Sequence, residues 1–242
     1  MKPWFFLPGF MGNSHDFNHL AEAMGLPAPV FWQWPEVDAP VSFEHYAQLA
    51  WQHFRAQLPA QFSLYAYSMG GRIASFWWRY DDFQQRCQAL VIAGSHPGLA
   101  EAQARLQRAQ HDARWVQAFA SQPLCDVLQR WYQQPVFASL SGQQKARQIA
   151  NKLQRSGVAY AQILQSASLA HQPLLGDSWR AEPRLSYVAG ELDEKFLTLA
   201  QQYCCEHQLI RIADCGHMAH WEKPAALADA LATRFNTGNN DR

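Results

Sequence analysis

Between residues 62 and 71 a short apolar run becomes a helical pattern within a few residues, which calls for a tight strand-to-helix turn. The run Phe62-Ser63-Leu64-Tyr65 leads into Ala66-Tyr67-Ser68-Met69-Gly70-Gly71, and helix formers follow. A strand that turns this sharply into a helix needs small residues around the turn, because neighbouring backbone comes close. Ala66 stands two before the serine and Gly70 two after it. Such a turn would lift the Ser68 hydroxyl above the end of a strand, at a helix N-terminus that favours negative charge. Taken alone, the pentapeptide could be an ordinary strand–turn–helix junction, so its meaning depends on what accompanies it.

The rest of the chain keeps the same rhythm. Short apolar runs at 4–7, 30–34, 63–67, 89–93, 185–189 and 209–212 read as strands. Helical patterns at 16–24, 43–57, 69–80, 197–204 and 225–235 fit between them. This alternation belongs to an α/β fold, a mostly parallel sheet flanked by helices. Pro224 suits the first turn of the last helix, where its missing N–H costs nothing. The polar tail from 236 to 242 is expected to fray. Between about 95 and 180 the rhythm breaks into Gln-, Ala- and Arg-rich amphipathic helices, with a capping box offered by Ser141 and Gln144. With no internal repeat and no second strand-rich block, residues 1–242 read as one domain with a helical cap inserted between two strands. Pocket lids are often built from such insertions.

Twenty basic residues balance twenty acidic ones, and 48% of the 242 residues are apolar. A large core is therefore available, and neutrality argues against a protein that coats nucleic acid or an anionic membrane. The run Trp4-Phe5-Phe6-Leu7 is cut by Pro8-Gly9, too short for a signal peptide or a span, and no later uncharged run reaches spanning length. The five cysteines, Cys87, Cys125, Cys204, Cys205 and Cys215, contain no C-x-x-C pair. The expectation is free thiols in a reducing cytoplasm, with neither a disulfide framework nor a metal site.

Ala66-Tyr67-Ser68-Met69-Gly70 is the G-x-S-x-G nucleophile pattern with alanine for its first glycine. The loop Leu7-Pro8-Gly9-Phe10-Met11-Gly12 follows the first strand, so Phe10, together with Met69 just after the serine, supplies candidate oxyanion N–H donors. Asp193, in Ala189-Gly190-Glu191-Leu192-Asp193, lies just beyond a strand, at the edge where α/β sheets bind ligands. Glu191 and Glu194 share its turn and compete for the role. His217, in Asp214-Cys215-Gly216-His217, falls between the last strand and the last helix, with His220 as its rival. The order serine, acid, histidine suits a relay in which histidine takes the serine proton and the acid orients the imidazole.

Arg72 lies one turn after Ser68 on the same helix face, and a guanidinium there is costly to desolvate unless it meets an anion. Residues 98–160 carry Arg105, Arg108, Arg114, Arg130, Lys145, Arg147, Lys152 and Arg155 against Glu101, Asp112 and Asp126. Arg105/Arg108 and Lys152/Arg155 are spaced to share helix faces. Solvated helices often look like this. A basic cap over Arg72 nevertheless suits a small anionic substrate with several carboxylates better than a lipid.

At these residues the sequence resembles the MenH family, α/β-hydrolase-fold enzymes that make 2-succinyl-6-hydroxy-2,4-cyclohexadiene-1-carboxylate (SHCHC) in menaquinone biosynthesis. The likeness covers Pro8-Gly9-Phe10-Met11-Gly12, Tyr67-Ser68-Met69-Gly70-Gly71-Arg72 and Ser95-His96-Pro97-Gly98-Leu99. It continues through Trp131-Tyr132-Gln133-Gln134-Pro135-Val136-Phe137-Ala138-Ser139-Leu140, Gly190-Glu191-Leu192-Asp193-Glu194-Lys195-Phe196 and Gly216-His217-Met218-Ala219-His220. The tryptophan-to-proline run in the cap is the most family-specific, since the elbow alone matches many hydrolases. Pro8 stands where a histidine is common, and Ala66 where a glycine is.

The resemblance implies a lyase in which 2-succinyl-5-enolpyruvyl-6-hydroxy-3-cyclohexene-1-carboxylate loses pyruvate. It implies that Ser68 acts as a base with His217 and Asp193, and that the Phe10 and Met69 N–H groups hold the enolate. Arg72, Arg108 and a lid cation, Lys152 with Arg155 nearby, would bind carboxylates. Tyr67, Trp131 and Tyr132 would shape the pocket, and no metal or organic cofactor is implied. A carboxylesterase or C–C bond hydrolase on the same three residues is the rival reading. A non-catalytic small-molecule binder is a further one.

Overall fold

The computed structural model describes residues 3–30 and 32–236. Five strands pair in one parallel sheet: β1 (Trp4–Leu7), β2 (Phe62–Tyr67), β3 (Cys87–Ala93), β4 (Leu185–Gly190) and β5 (Leu209–Ile212), in that order across the sheet. Every residue of β2 and β4 is buried, as expected of parallel strands covered on both faces. Helices α1 (Asn18–Ala23), α2 (Phe43–Arg55), α3 (Met69–Trp77) and α4 (Asp81–Arg86) belong to the first half. Between β3 and β4 the chain runs through α5 (Ala102–Ser121), α6 (Leu124–Trp131), α7 (Gly142–Lys152), α8 (Gly157–Ser166) and α9 (Gly176–Ala181). It ends with α10 (Glu194–Tyr203), α11 (Ala219–Glu222) and α12 (Pro224–Asn236).

Side chains alternate across the sheet, so each strand feeds two apolar layers. Leu64, Ala66 and Ile92 pack on one face with Trp34, Phe54, Ile73 and Trp77. Tyr65, Tyr67 and Val91 pack on the other with Phe17, Leu20 and Leu231. A third cluster lies under the inserted helices, where Phe119, Val127, Leu128, Tyr160 and Leu164 bury Met11 and pack against Phe10 and Trp131. The first loop is thereby tied to the cap. Ser141 and Gln144 form a reciprocal cap on α7, with Gln144 N–H donating to Ser141 Oγ at 3.3 Å and Ser141 N–H to Gln144 Oε1 at 2.7 Å.

One expected strand is not found among the described residues. In the 30–34 stretch, Gln33 makes only an isolated antiparallel bridge with Asn13. Its apolar character serves burial instead. Trp32 and Trp34 lie in the core, and their indole N–H groups donate to Gln57 Oε1 and the Gly9 carbonyl, each at 2.9 Å. The first helical pattern also begins as a 3-10 turn, Ser14–Phe17, before α1. Phe31 and the tail from 237 to 242, where fraying was expected, lie outside the described residues. No helix among the described residues is long and apolar enough to cross a membrane.

Candidate active site

Ser68 sits between β2 and α3 with φ 51° and ψ −112°, a left-handed conformation that costs a non-glycine residue about 1–3 kcal/mol. Surrounding hydrogen bonds hold it there. Its N–H donates to the Ala93 carbonyl at 2.8 Å, and its own carbonyl accepts from Ser95 Oγ at 3.0 Å and from the Arg72 N–H at 3.1 Å. Helix α3 starts so close to the first loop that a Cβ on Gly70 would lie 2.4 Å from the Pro8 carbonyl oxygen. Glycine is required at that point. Ala66 is fully buried, paired with Leu7 on one side and Ile92 on the other.

The first loop is a tight turn in which the Gly9 carbonyl accepts from the Gly12 N–H at 3.1 Å and from Trp34 Nε1 at 2.9 Å. No described group accepts the Phe10 N–H. Met69 is the first residue of α3, where a helix has no internal acceptor for its N–H. Both candidate oxyanion donors are thus unclaimed.

His217 Nδ1 lies 2.6 Å from Asp193 Oδ2, and both side chains are less than a tenth exposed. Neither Glu191 nor Glu194 makes this contact. The imidazole packs against Phe196 at 4.6 Å and Tyr67 at 5.2 Å between ring centroids. It also lies over the end of β3, where a Cβ on Gly94 (φ +54°) would come within 2.6 Å of its Cε1. His217 Nε2 has no described partner, and neither has Ser68 Oγ; both residues line one cavity without a direct hydrogen bond between them. His220 does not line it. That ring is fully buried between Phe17 and Tyr67, neither nitrogen has a partner among the described residues, and burial drives its pKa down to about 3.

The cavity holds about 590 Å³ and is walled by Phe10, Tyr67, Ser68, Arg108, Trp131, Tyr132, Lys152, Asp193 and His217 among the residues expected from the sequence. Other expectations need correction. Arg72 is not in the wall: its guanidinium is buried and donates to Gln172 Oε1 at 3.0 Å and the Ala167 carbonyl at 2.8 Å. Burial lowers its pKa to about 9, which leaves it charged at neutral pH. Two protein acceptors thus offset part of the desolvation cost that had pointed to an anion. The Met69 side chain belongs to the core, so its backbone alone is relevant to the site.

Of the eight cap cations, Arg108 and Lys152 reach the cavity. Lys152 is almost fully buried, with its ammonium 2.8 Å from both carboxylate oxygens of Asp16. Arg155 lies beyond the end of α7, hence on no shared helix face with Lys152, and it pairs with Glu36 at 2.7 Å. Arg105 donates to the carbonyls of Ala170 and Gln172, and Arg130 to Gln122.

The wall also contains residues to which the sequence reading gave no place in the pocket, among them Asp16, Gln148, Lys195 and Phe196, and it contains Glu194, the rival of Asp193. Asp16 was visible as a helix-start residue, which it is, since it also accepts from the Asn13 N–H at 3.2 Å. Nothing local in the sequence marks its union with Lys152, 136 positions away. Lys195 stood in the motif beside Asp193. Burial and then the Arg108 charge lower its pKa, which makes this end of the cavity a crowded cationic corner. His96, next to the same corner, is driven down to about 3 by burial and then by Lys195, Arg72 and Arg108.

A strained serine at the carboxyl edge of a parallel sheet, faced by an acid–histidine pair from later loops, places the molecule among the α/β-hydrolases. Residues 4–230 match the model of the Alpha/beta hydrolase family, to which the chain belongs. Within that class the curated relatives are more particular. The chain is 36% identical over 240 residues to the SHCHC synthase of Salmonella typhimurium, covering 94% of this chain and 91% of the relative. It is 41% identical over 179 residues to that of Salmonella paratyphi B, covering 71% and 67%. The chain therefore belongs to the SHCHC synthase family and is an enzyme. Among solved structures, MenH from S. aureus superposes with a TM-score of 0.84 at 20% identity, covering 99% of this chain and 95% of that one. A thermophilic esterase from Thermogutta terrifontis superposes at 0.69 and 18%, over 98% and 90%. At these identities the structural likeness speaks for the fold.

Proposed function

We propose that this enzyme eliminates pyruvate from 2-succinyl-5-enolpyruvyl-6-hydroxy-3-cyclohexene-1-carboxylate, forming the product for which its curated relatives are named. The observation that carries the mechanism is the Asp193–His217 pair opening on the cavity that also holds Ser68. Asp193 fixes the imidazole with Nδ1 protonated, which leaves Nε2 basic. His217 accepts the Ser68 proton, and the serine oxygen removes the proton alpha to the succinyl ketone. The resulting enolate oxygen is held by the Phe10 and Met69 N–H groups, worth about 3–4 kcal/mol per donor by analogy with acyl transfer. Electrons then move through the ring as the carbon–oxygen bond to the enolpyruvyl group breaks. The proton removed from carbon restores the Ser68 hydroxyl, and the imidazolium gives the proton it took from Ser68 to the departing enolpyruvate, which leaves as the enol and tautomerises to pyruvate.

The proposed substrate is a small anion. In support, Arg108 and Lys195 crowd one end of the cavity, where a carboxylate would relieve their mutual repulsion. Tyr67, Trp131 and Tyr132 contribute to the apolar part of the wall, with Phe10, Phe137 and Phe196. A cytoplasmic setting and no role for nucleic acid or membrane complete the reading; the five cysteines, all free, are compatible with it.

The test is to incubate the purified protein with the enolpyruvyl substrate and follow pyruvate with a coupled dehydrogenase. Stoichiometric release that disappears in Ser68→Ala is expected. A folded protein that releases none, yet gives an acyl-enzyme burst on activated esters, would move the assignment to a hydrolase.

A further inference from the structure

The His217 side chain is aligned by Asp193, but its backbone is held by a residue that has no part in proton transfer. Glu222, the last residue of α11, turns its carboxylate back on the loop that carries the histidine. Oε2 accepts the Gly216 N–H at 2.9 Å and Oε1 the Met218 N–H at 2.9 Å, so one carboxylate clasps the N–H groups of the two residues that flank His217. The Glu222 N–H in turn donates to the Met218 carbonyl at 2.8 Å. No cation pairs with Glu222 among the described residues. Its negative charge is spent on two backbone donors, which a carboxylate satisfies and an amide of the same shape does not, because one amide atom is itself a donor.

We infer that Glu222 is a positioning residue for His217, setting where the imidazole stands over Ser68 while making no contact with substrate. The inference rests on the reading of Ser68 and His217 as the reacting pair. Other supports of the loop act on other atoms: Leu192 N–H donates to the Cys215 carbonyl at 2.9 Å and Trp221 N–H to the Met218 carbonyl at 2.8 Å, the Cys215 and Met218 side chains are buried in the core, and Phe196 and Tyr67 pack against the imidazole ring. Loss of the clasp therefore shifts the histidine backbone relative to a serine that is independently fixed by β3. Misplacement of a reacting group by about 1 Å is enough to cost roughly a hundredfold in rate.

The experiment compares the parent enzyme with Glu222→Gln and Glu222→Asp by thermal unfolding, by steady-state pyruvate release, and by the rate at which a fluorophosphonate labels Ser68. Labelling needs only the serine–histidine pair, so it remains informative should the lyase assignment fail. Glu222→Gln is expected to fold, to lose roughly ten- to a hundredfold in kcat and in labelling rate, and to keep KM within about twofold. Glu222→Asp keeps the charge but is one methylene short, and should fall between. Parent-like labelling in a folded Glu222→Gln enzyme would overturn the inference, as would a loss confined to KM. Should Glu222→Gln fail to fold, slow labelling by a folded Glu222→Asp supports the role and parent-like labelling refutes it. If both variants fail to fold, Glu222 is a folding residue alone and the inference is wrong.

Discussion

The Asp193 carboxylate and the His217 imidazole meet at 2.6 Å, across 24 residues of chain, in a place where water barely reaches either. The bond selects the tautomer with the proton on Nδ1, which only a carboxylate acceptor favours so strongly. Asp193→Asn should therefore fold normally and lose about 10³–10⁴ in kcat, with KM little changed. Steady-state pyruvate release checks this. An Asn variant within tenfold of the parent would remove Asp193 from the relay.

Lys152 and Asp16 form a buried ion pair that joins α7 of the cap to the 3-10 turn Ser14–Phe17. Removing one partner leaves the other charged and unpaired, so Lys152→Met or Asp16→Asn should each cost about 3–5 kcal/mol of stability by urea denaturation. The double variant should recover part of that loss, because no lone buried charge remains. Additive single losses in the double variant would mean that the two groups do not interact in solution.

Arg72 and Arg108 make opposite predictions for KM. Arg72 is consumed by Gln172 and the Ala167 carbonyl, so Arg72→Leu should lower stability by about 1–3 kcal/mol and change KM only through that loss. Arg108 lies on the cavity wall and is bonded at 2.7 Å to the buried Asp112, so Arg108→Ala should raise KM about tenfold or more while also lowering Tm, because that carboxylate loses its cation. Kinetics on the two variants, read beside thermal melts, separate a structural arginine from a binding one. A reversed KM pattern would return Arg72 to the substrate.

His220 and His96 are held neutral, with pKa values near 3 against about 6.5 in the unfolded chain. Between those values the unfolded state binds more protons than the folded one. Stability is then complete above pH 6.5 and falls as pH drops toward 3, by up to about 1.4 kcal/mol per pH unit for each histidine. Urea midpoints measured from pH 7 to 4.5 should show the decline, and His220→Leu should flatten it. A variant slope equal to that of the parent would show that His220 is solvated.

Much of this fold could be read from the chain because parallel strands buried on both faces are continuous apolar runs. β1 and β5 coincide with runs read at 4–7 and 209–212, and the remaining three differ by one or two residues at an end. The run at 30–34 misled for a physical reason. Two tryptophans spaced by one residue produce the pattern of a strand, while their actual task is to fill the space under α2 and to fasten the first loop through Gly9.

Local chemistry alone determined the junction at Ser68, since only small neighbours and a glycine allow a strand to turn into a helix that closely. It also determined the candidate order of serine, acid and histidine, and the family to which those residues point. Tertiary structure decided which of several equal-looking charges meet. Asp193, not its glutamate neighbours, reaches His217; Arg72 is absorbed by the cap; Lys152 faces Asp16 while Arg155 goes to Glu36. A side chain's type and helical phase are written in a dozen residues, whereas its partner is set by loops from distant parts of the chain that converge only once the sheet has closed. The desolvation cost of each charge is settled at that convergence, so a linear pattern can flag a charge but cannot name its counterpart.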